Sequence, residues 1–361
     1  MRNHTAEICT AGNAAGRQAV RRGTKGLALT ATAALGAMLL AGCGSDSGSG
    51  KSADGTTTVT VGISGNIFDM SIRLADANGY FKKRGIKVKY VTLTAATGPS
   101  ALQSGSVQFL NSSPTGFVAA VSKGIPLTAI ATNGGGNPLG LVVSNKFAKA
   151  HGLTAKTPAD QVAAALAGST GGASSTNTQA EAGIFLKTYN VDPGKVKWVS
   201  LPSPAADKAS LKSNQIDWFV TSEPIPLNIQ YSGDGVVVAD PIKVPQWSST
   251  EAGYGQVVVA RTSYAKQHAD IAKKFSAAVE QATGYLKANL QDKTVLNVAK
   301  SAMPGIPDPV LQTSLEQVDW PVDDEMNEAG WNTTMAFLNQ LGALPEGTKI
   351  STKNWTNDYL R

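Results

Sequence analysis

The chain has 361 residues, 42% of them hydrophobic, and a formal net charge of +6. Five of its 32 Lys/Arg and one of its 26 acids fall in residues 1–42, so the rest is close to neutral and nothing in it points to nucleic acid. After residue 42 only Cys43, His151 and His268 remain of the cysteines and histidines, which excludes a disulfide within that part and a Cys/His zinc site; no metal or cofactor is expected.

Residues 1–26 carry Arg2, Arg17, Arg21, Arg22 and Lys25 against Glu7, and Leu27–Gly42 then runs without a charge. A basic stretch, a short apolar run and small residues make an export signal over 1–42. The run is shorter than the roughly 20 residues that span a bilayer, and no membrane-spanning helix is placed elsewhere. The pair Arg21-Arg22 leaves open the general and the twin-arginine export routes. Leu40-Ala41-Gly42-Cys43 resembles a bacterial lipobox. That resemblance implies cleavage before Cys43 and acylation of its sulfur and new amino terminus, and two acyl chains anchor firmly where one holds only marginally. "GSDSGSGKSADGTTT" (44–58) is too polar to bury a core, so residues 43–58 read as a lipidated tether.

Beyond the tether, strand and helix patterns alternate. "TTVTVGIS" (57–64) reads as a strand, 66–85 as helical with Met70, Leu74 and Ala77 on one face, and "IKVKYVTL" (86–93) as a second strand. A short helix (98–105), a strand (107–113) and a helix (113–124) follow, the last capped by Ser113 with Pro114 in its first turn. Strands come next at "LTAIATN" and "GLVVSN". The second stretch repeats the pattern: helices at 157–168, 176–190 and 203–215, strands at 196–201, at the start of 216–233 and at 253–262, then a helical tail. The alternation predicts an α/β body of roughly 300 residues with mainly parallel sheet, a length that suits two lobes.

"ADANGYFKKRGIKVKYV" (75–91), "ALQSGSVQFLNSSPTGFVAAVSKGIPLTAIA" (101–131) and "LKSNQIDWFVTSEP" (211–224) together resemble the substrate-binding proteins of ABC importers for nitrate, sulfonates and taurine, whose relatives bind a thiamine-pyrimidine precursor. The likeness covers most of 59–290; "GGGNPLG" (134–140) and the helical tail depart from it. The resemblance implies a two-lobe periplasmic-binding-protein-like fold of type II. Lobe one would hold 57–143 plus 257–361 and lobe two 144–256, joined by crossing strands around a ligand cleft that hinges near 143–146 and 253–257. It further implies a lipid-anchored, extracytoplasmic monomer that hands a small polar organic solute (sulfonate- or taurine-like, a pyrimidine or an aromatic acid) to a membrane permease driven by a cytoplasmic ATPase. Two alternatives are a ligand sensor that presents its closed form to a membrane signalling partner and, more remotely, a pyrimidine-precursor synthase-like enzyme. The relative that makes the pyrimidine depends on a histidine and cysteines, and no spare cysteine follows Cys43.

In an open sheet, ligands sit beyond the carboxyl ends of the strands. Three short polar loops lie there, offering Ser64 and Asn66; Ser112, Ser113 and Thr115; and Ser175, Thr176 and Asn177. Each brings hydroxyls or amides to a helix N-terminus, where backbone N–H groups and the helix dipole favour an oxyanion or a polar ring edge; plain N-capping explains any one loop as well. Glu223 follows a predicted strand and would take a cationic or N–H group of a ligand, or stand as a solvated first-turn acid. Phe68, Trp247 and Tyr254 would stack on a flat ligand, or pack in a core or hinge. No Arg, Lys or His lies in the three loops, so a strong anion would rest on N–H groups and hydroxyls alone. Catalysis finds little support: Ser263-Tyr264-Ala265-Lys266 matches S-x-x-K only as a four-letter pattern, and G-x-S-x-G, P-loop and dinucleotide motifs are absent.

Overall fold

The computed structural model describes residues 55–94, 96–201, 203–342 and 344–360. Cys43 and the expected export signal lie outside them. Ten strands are present: β1 (Thr57–Ile63), β2 (Ile86–Thr92), β3 (Phe109–Ser112), β4 (Leu127–Gly135), β5 (Leu139–Ser144), β6 (Thr170–Ala173), β7 (Lys197–Ser200), β8 (Trp218–Ser222), β9 (Gly235–Ala239) and β10 (Tyr254–Arg261). They form two five-stranded sheets, ordered β2-β1-β3-β10-β4 and β7-β6-β8-β5-β9.

The sheets share one topology, and neither is wholly parallel. β1 pairs parallel with β2 and β3, and β10 runs antiparallel between β3 and β4. Likewise β6 pairs parallel with β7 and β8, and β5 runs antiparallel between β8 and β9. The odd strand in each sheet is the one that arrives from the other sheet. A chain that leaves one sheet at the carboxyl ends of its strands and crosses the gap must enter the next sheet from that same side, so it runs against its new neighbours.

The first crossing falls at 136–138, between β4 and β5, and the second spans 240–253, between β9 and β10. The position expected from sequence, 143–146, lies instead at the end of β5 and the start of the next helix. The two crossing segments bond to each other: Gly136 N–H donates to the Gly253 carbonyl (2.9 Å) and Asn137 N–H to that of Trp247 (2.7 Å). Phe68 is pressed against them. A Cβ at Gly134 would stand 2.5 Å from its ring, and one at Gly255 2.6 Å from its Cζ and 2.0 Å from the Gly136 carbonyl oxygen. The glycine-rich stretch is thus the close-packed crossing itself.

Hydrophobic layers cover both faces of each sheet. On one face of the first, Val61, Phe109 and Val258 pack with Phe275 of the helix Ala269–Ala288, whose ring stacks on Phe109 at 4.0 Å. The other face packs with Phe117, Trp331 and Phe337. In the second sheet β6 goes beyond the sequence expectation. Its "TGGA" has no strand signal, but Gly171 lies under two indoles, and a Cβ there would stand 2.9 Å from Trp218.

Candidate functional site

A cavity of about 590 Å³ lies between the sheets, within the range usual for small-molecule sites. The loops that leave β1, β3, β6 and β8 at their carboxyl ends line it. A smaller chamber of about 90 Å³ adjoins it, sharing Asn66, Ser113, Thr178, Ser222 and Gln256 as walls.

The predicted residues divide between these spaces. Ser64, Ser112, Ser175 and Glu223 line the larger cavity, and Asn66 and Ser113 line both. Phe68, Thr115, Asn177 and Tyr254 line the chamber. Thr176 starts the helix Thr176–Thr188, but its side chain lies outside the described set. Trp247 is the exception: it is fully buried in the core of the second sheet and lines neither space. Its indole donates to the Glu181 carbonyl at 3.3 Å, which fixes the helix behind the chamber.

The loops are less open to an anion than their helix ends suggest. After β1, the N–H groups of Ser64, Gly65 and Asn66 all point at the carboxylate of buried Asp69, which also accepts from the Asn111 amide at 2.8 Å. Asn133 in turn donates to Asn111 and Ser71. At the other ends, the Ser113 hydroxyl accepts from Gly116 N–H, Ser175 from Thr178 N–H and Ser203 from Ala206 N–H. Pro114 and Pro204, at the first positions of two of these helices, have no N–H to offer. The capping explanation therefore accounts for most donors expected to hold a ligand.

The acids stand out instead. Glu223 is fully buried where β8 ends; its Oε2 accepts from Leu227 N–H at 3.2 Å, and its Oε1 has no partner among the described residues. Burial pushes its carboxyl up to about 8, aided by the nearby Asp240 and opposed by the Leu227 N–H and the Ser314 hydroxyl. Glu181, which sequence reasoning missed, is 4% exposed and faces the chamber. It accepts from the Asn177 amide at 2.7 Å, and burial again holds it at about 8. The signal was the spacing: Asn177 and Glu181 stand four apart on one helix face. Ser174, Ser222 and Gln256 are further polar wall residues not foreseen, and Met303 and Ile306 bring the helical tail into the wall. No Lys, Arg or His lines either space among the described residues, and no cluster of His, Cys, Asp and Glu there could hold a metal ion.

In fold, the chain is similar to several solved solute receptors. The periplasmic aliphatic sulphonate binding protein of Escherichia coli superposes with a TM-score of 0.64 at 16% identity, over 84% of this chain and 99% of that one. The periplasmic nitrate-binding protein of Synechocystis PCC 6803 gives 0.64 at 17% identity, over 84% and 87%. A zinc-bound ligand-binding component of an ABC-type import system from Staphylococcus aureus gives 0.66 at 14% identity, over 84% and 97%. By sequence, no curated protein matches at a significant level. The two-sheet architecture with its central cleft is the periplasmic-binding-protein fold. The NMT1/THI5-like family matches residues 69–292, more than half of the sequence, and the chain belongs to that family.

Proposed function

We propose that the protein is the extracytoplasmic substrate-binding component of an ABC importer for a small polar organic solute. The observation that carries this reading is the 590 Å³ cavity between two lobes of one topology, walled by strand-end loops from both. Among the described residues the walls hold no Lys, Arg, His or Cys to pair with the acids, and Ser263 and Lys266 lie in neither space. The work of the site is binding and closure, with the closed form docking on a permease whose cytoplasmic ATPase drives transport.

The direct test is a thermal-shift panel of nitrate, alkanesulfonates, taurine, aromatic acids, amines and pyrimidines. A ligand at 100 times its Kd stabilises the folded state by about 2.7 kcal/mol, which raises Tm by roughly 2–4 °C in a chain of this size. A flat panel overturns the receptor reading. The tether belongs to the same proposal. Cys43→Ser would either send the protein to the soluble fraction or leave it uncleaved with its signal attached. Processing and membrane attachment unchanged in that variant would place the anchor elsewhere.

A further inference from the structure

We infer that the cleft takes an organic dication of the α,ω-diamine class, with one N–H-donating end held at Glu223 and the other at Glu181. The inference rests on the receptor reading above and specifies its ligand.

Two carboxyl groups from different elements of the second lobe belong to the walls of adjacent spaces that share five wall residues. Glu223 directly follows β8, and its Oε1 is buried with no donor among the described residues. The Ser314 hydroxyl comes near this carboxyl but donates to the Val310 carbonyl at 2.7 Å. Glu181 sits in the helix Thr176–Thr188 and accepts one bond, from Asn177, at Oε1. The nearby indole of Trp247 reaches only its main-chain carbonyl. Asp240 is the one charged group bearing on Glu223, and its sign is the same. The protein therefore supplies no counter-charge to either acid among the described residues.

Positive helix ends do not make up the difference. Each is worth about half a unit charge, and the capping serines and prolines have consumed most of their N–H groups. A cation lets both acids ionise and supplies the partner that the protein withholds. Size separates the two ends further. The Glu181 chamber, at 90 Å³, has the volume of about three waters. It suits an ammonium head, while the larger cavity holds the remaining carbon chain and the second head.

Both carboxyls carry protons at pH 7 in the empty cleft, because burial holds them near 8. An arriving ammonium keeps its protons and displaces those of the acids into the buffer. Binding then releases protons and strengthens as pH rises from 6 towards 8.

Titration calorimetry on the full-length protein tests this, using 1,2-diaminoethane through 1,6-diaminohexane, the matched n-alkylamines, methanesulfonate and nitrate, in two buffers of different ionisation heat. One diamine length should bind at least about tenfold tighter than its matched monoamine, with net proton release. Glu181→Gln should reduce that diamine to the affinity of the monoamine, and Glu223→Gln should weaken both. The wild-type comparison of diamine with monoamine decides the matter even if a variant folds poorly. Equal affinity of the two, no proton release, or no binding by any amine overturns the inference. If methanesulfonate or nitrate binds and the amines do not, the inference falls and the receptor reading stands; if these compounds and the thermal-shift panel all fail, both fall.

Discussion

Glu181 and Glu223 set a pH dependence of stability whose sign follows from burial alone. Each is held near 8 in the folded chain against an ordinary value of 4.5. The folded state then binds more protons than the unfolded state between those values. The stability that depends on the protonated acids is complete below about pH 4.5 and is lost as pH rises through 8. Denaturant midpoints of the unliganded protein should accordingly fall from pH 5 to pH 8.5. In Glu181→Gln and Glu223→Gln that fall should flatten, since a buried amide carries no such proton. A slope unchanged in both variants would mean that water reaches the acids. Glu223 was readable from its place after a strand, as an acid beside the cleft. Glu181 was not, because its one signal, the four-residue spacing from Asn177, fits a solvated helix face equally well.

Among the elements, the crossing segments separate what sequence reveals from what it hides. Alternating strand and helix patterns are local, so the strands of the first sheet and its capped helices are legible residue by residue. The reversed direction of β5 and β10 is not local: it follows from where the chain comes from, and no period in the sequence encodes it. "GGGNPLG" looked like a departure from the family pattern, yet it is where two backbones and the Phe68 ring meet too closely for side chains. Gly255 is the sharpest instance. An Ala there would drive a methyl into the Gly136 carbonyl and the Phe68 ring. Overpacking of this kind costs about 1–3 kcal/mol. Gly255→Ala should lower the urea midpoint accordingly and weaken ligand binding, because the same shift displaces Gln256 and Phe68 in the chamber wall. Gly168→Ala, where a Cβ meets nothing within 4 Å, tests the separate strain of a positive φ, here +77°. If Gly255→Ala proves no worse than this control, the crossing has room to relax.

At the scale of the whole molecule, the two lobes touch beside the cavity as well as through the crossings. Ile184, on the helix Thr176–Thr188 of the second lobe, is 6% exposed and belongs to the apolar cluster of Trp331, Phe337 and Leu338 in the first. The helix Ile225–Tyr231 likewise packs on Asp308–Glu316. In the proposed opening and closing of the lobes these contacts part and re-form, and the crossings at 136–138 and 240–253, which carry the chain between the sheets, are the bending points. Closure then regains the burial of Ile184, worth about 1.5–3 kcal/mol for a side chain of that size. This energy favours the closed form whether or not ligand is present, and so reduces the fraction of binding energy needed to close. Ile184→Ser removes most of it. The variant should bind ligand about tenfold more weakly, since 1.4 kcal/mol is a factor of ten. Its unliganded form should show a larger radius of gyration in solution scattering than the wild type, and saturating ligand should bring the two profiles together. Scattering curves that superpose without ligand would make Ile184 an ordinary core residue of a rigid body, and the hinge would lose its main support.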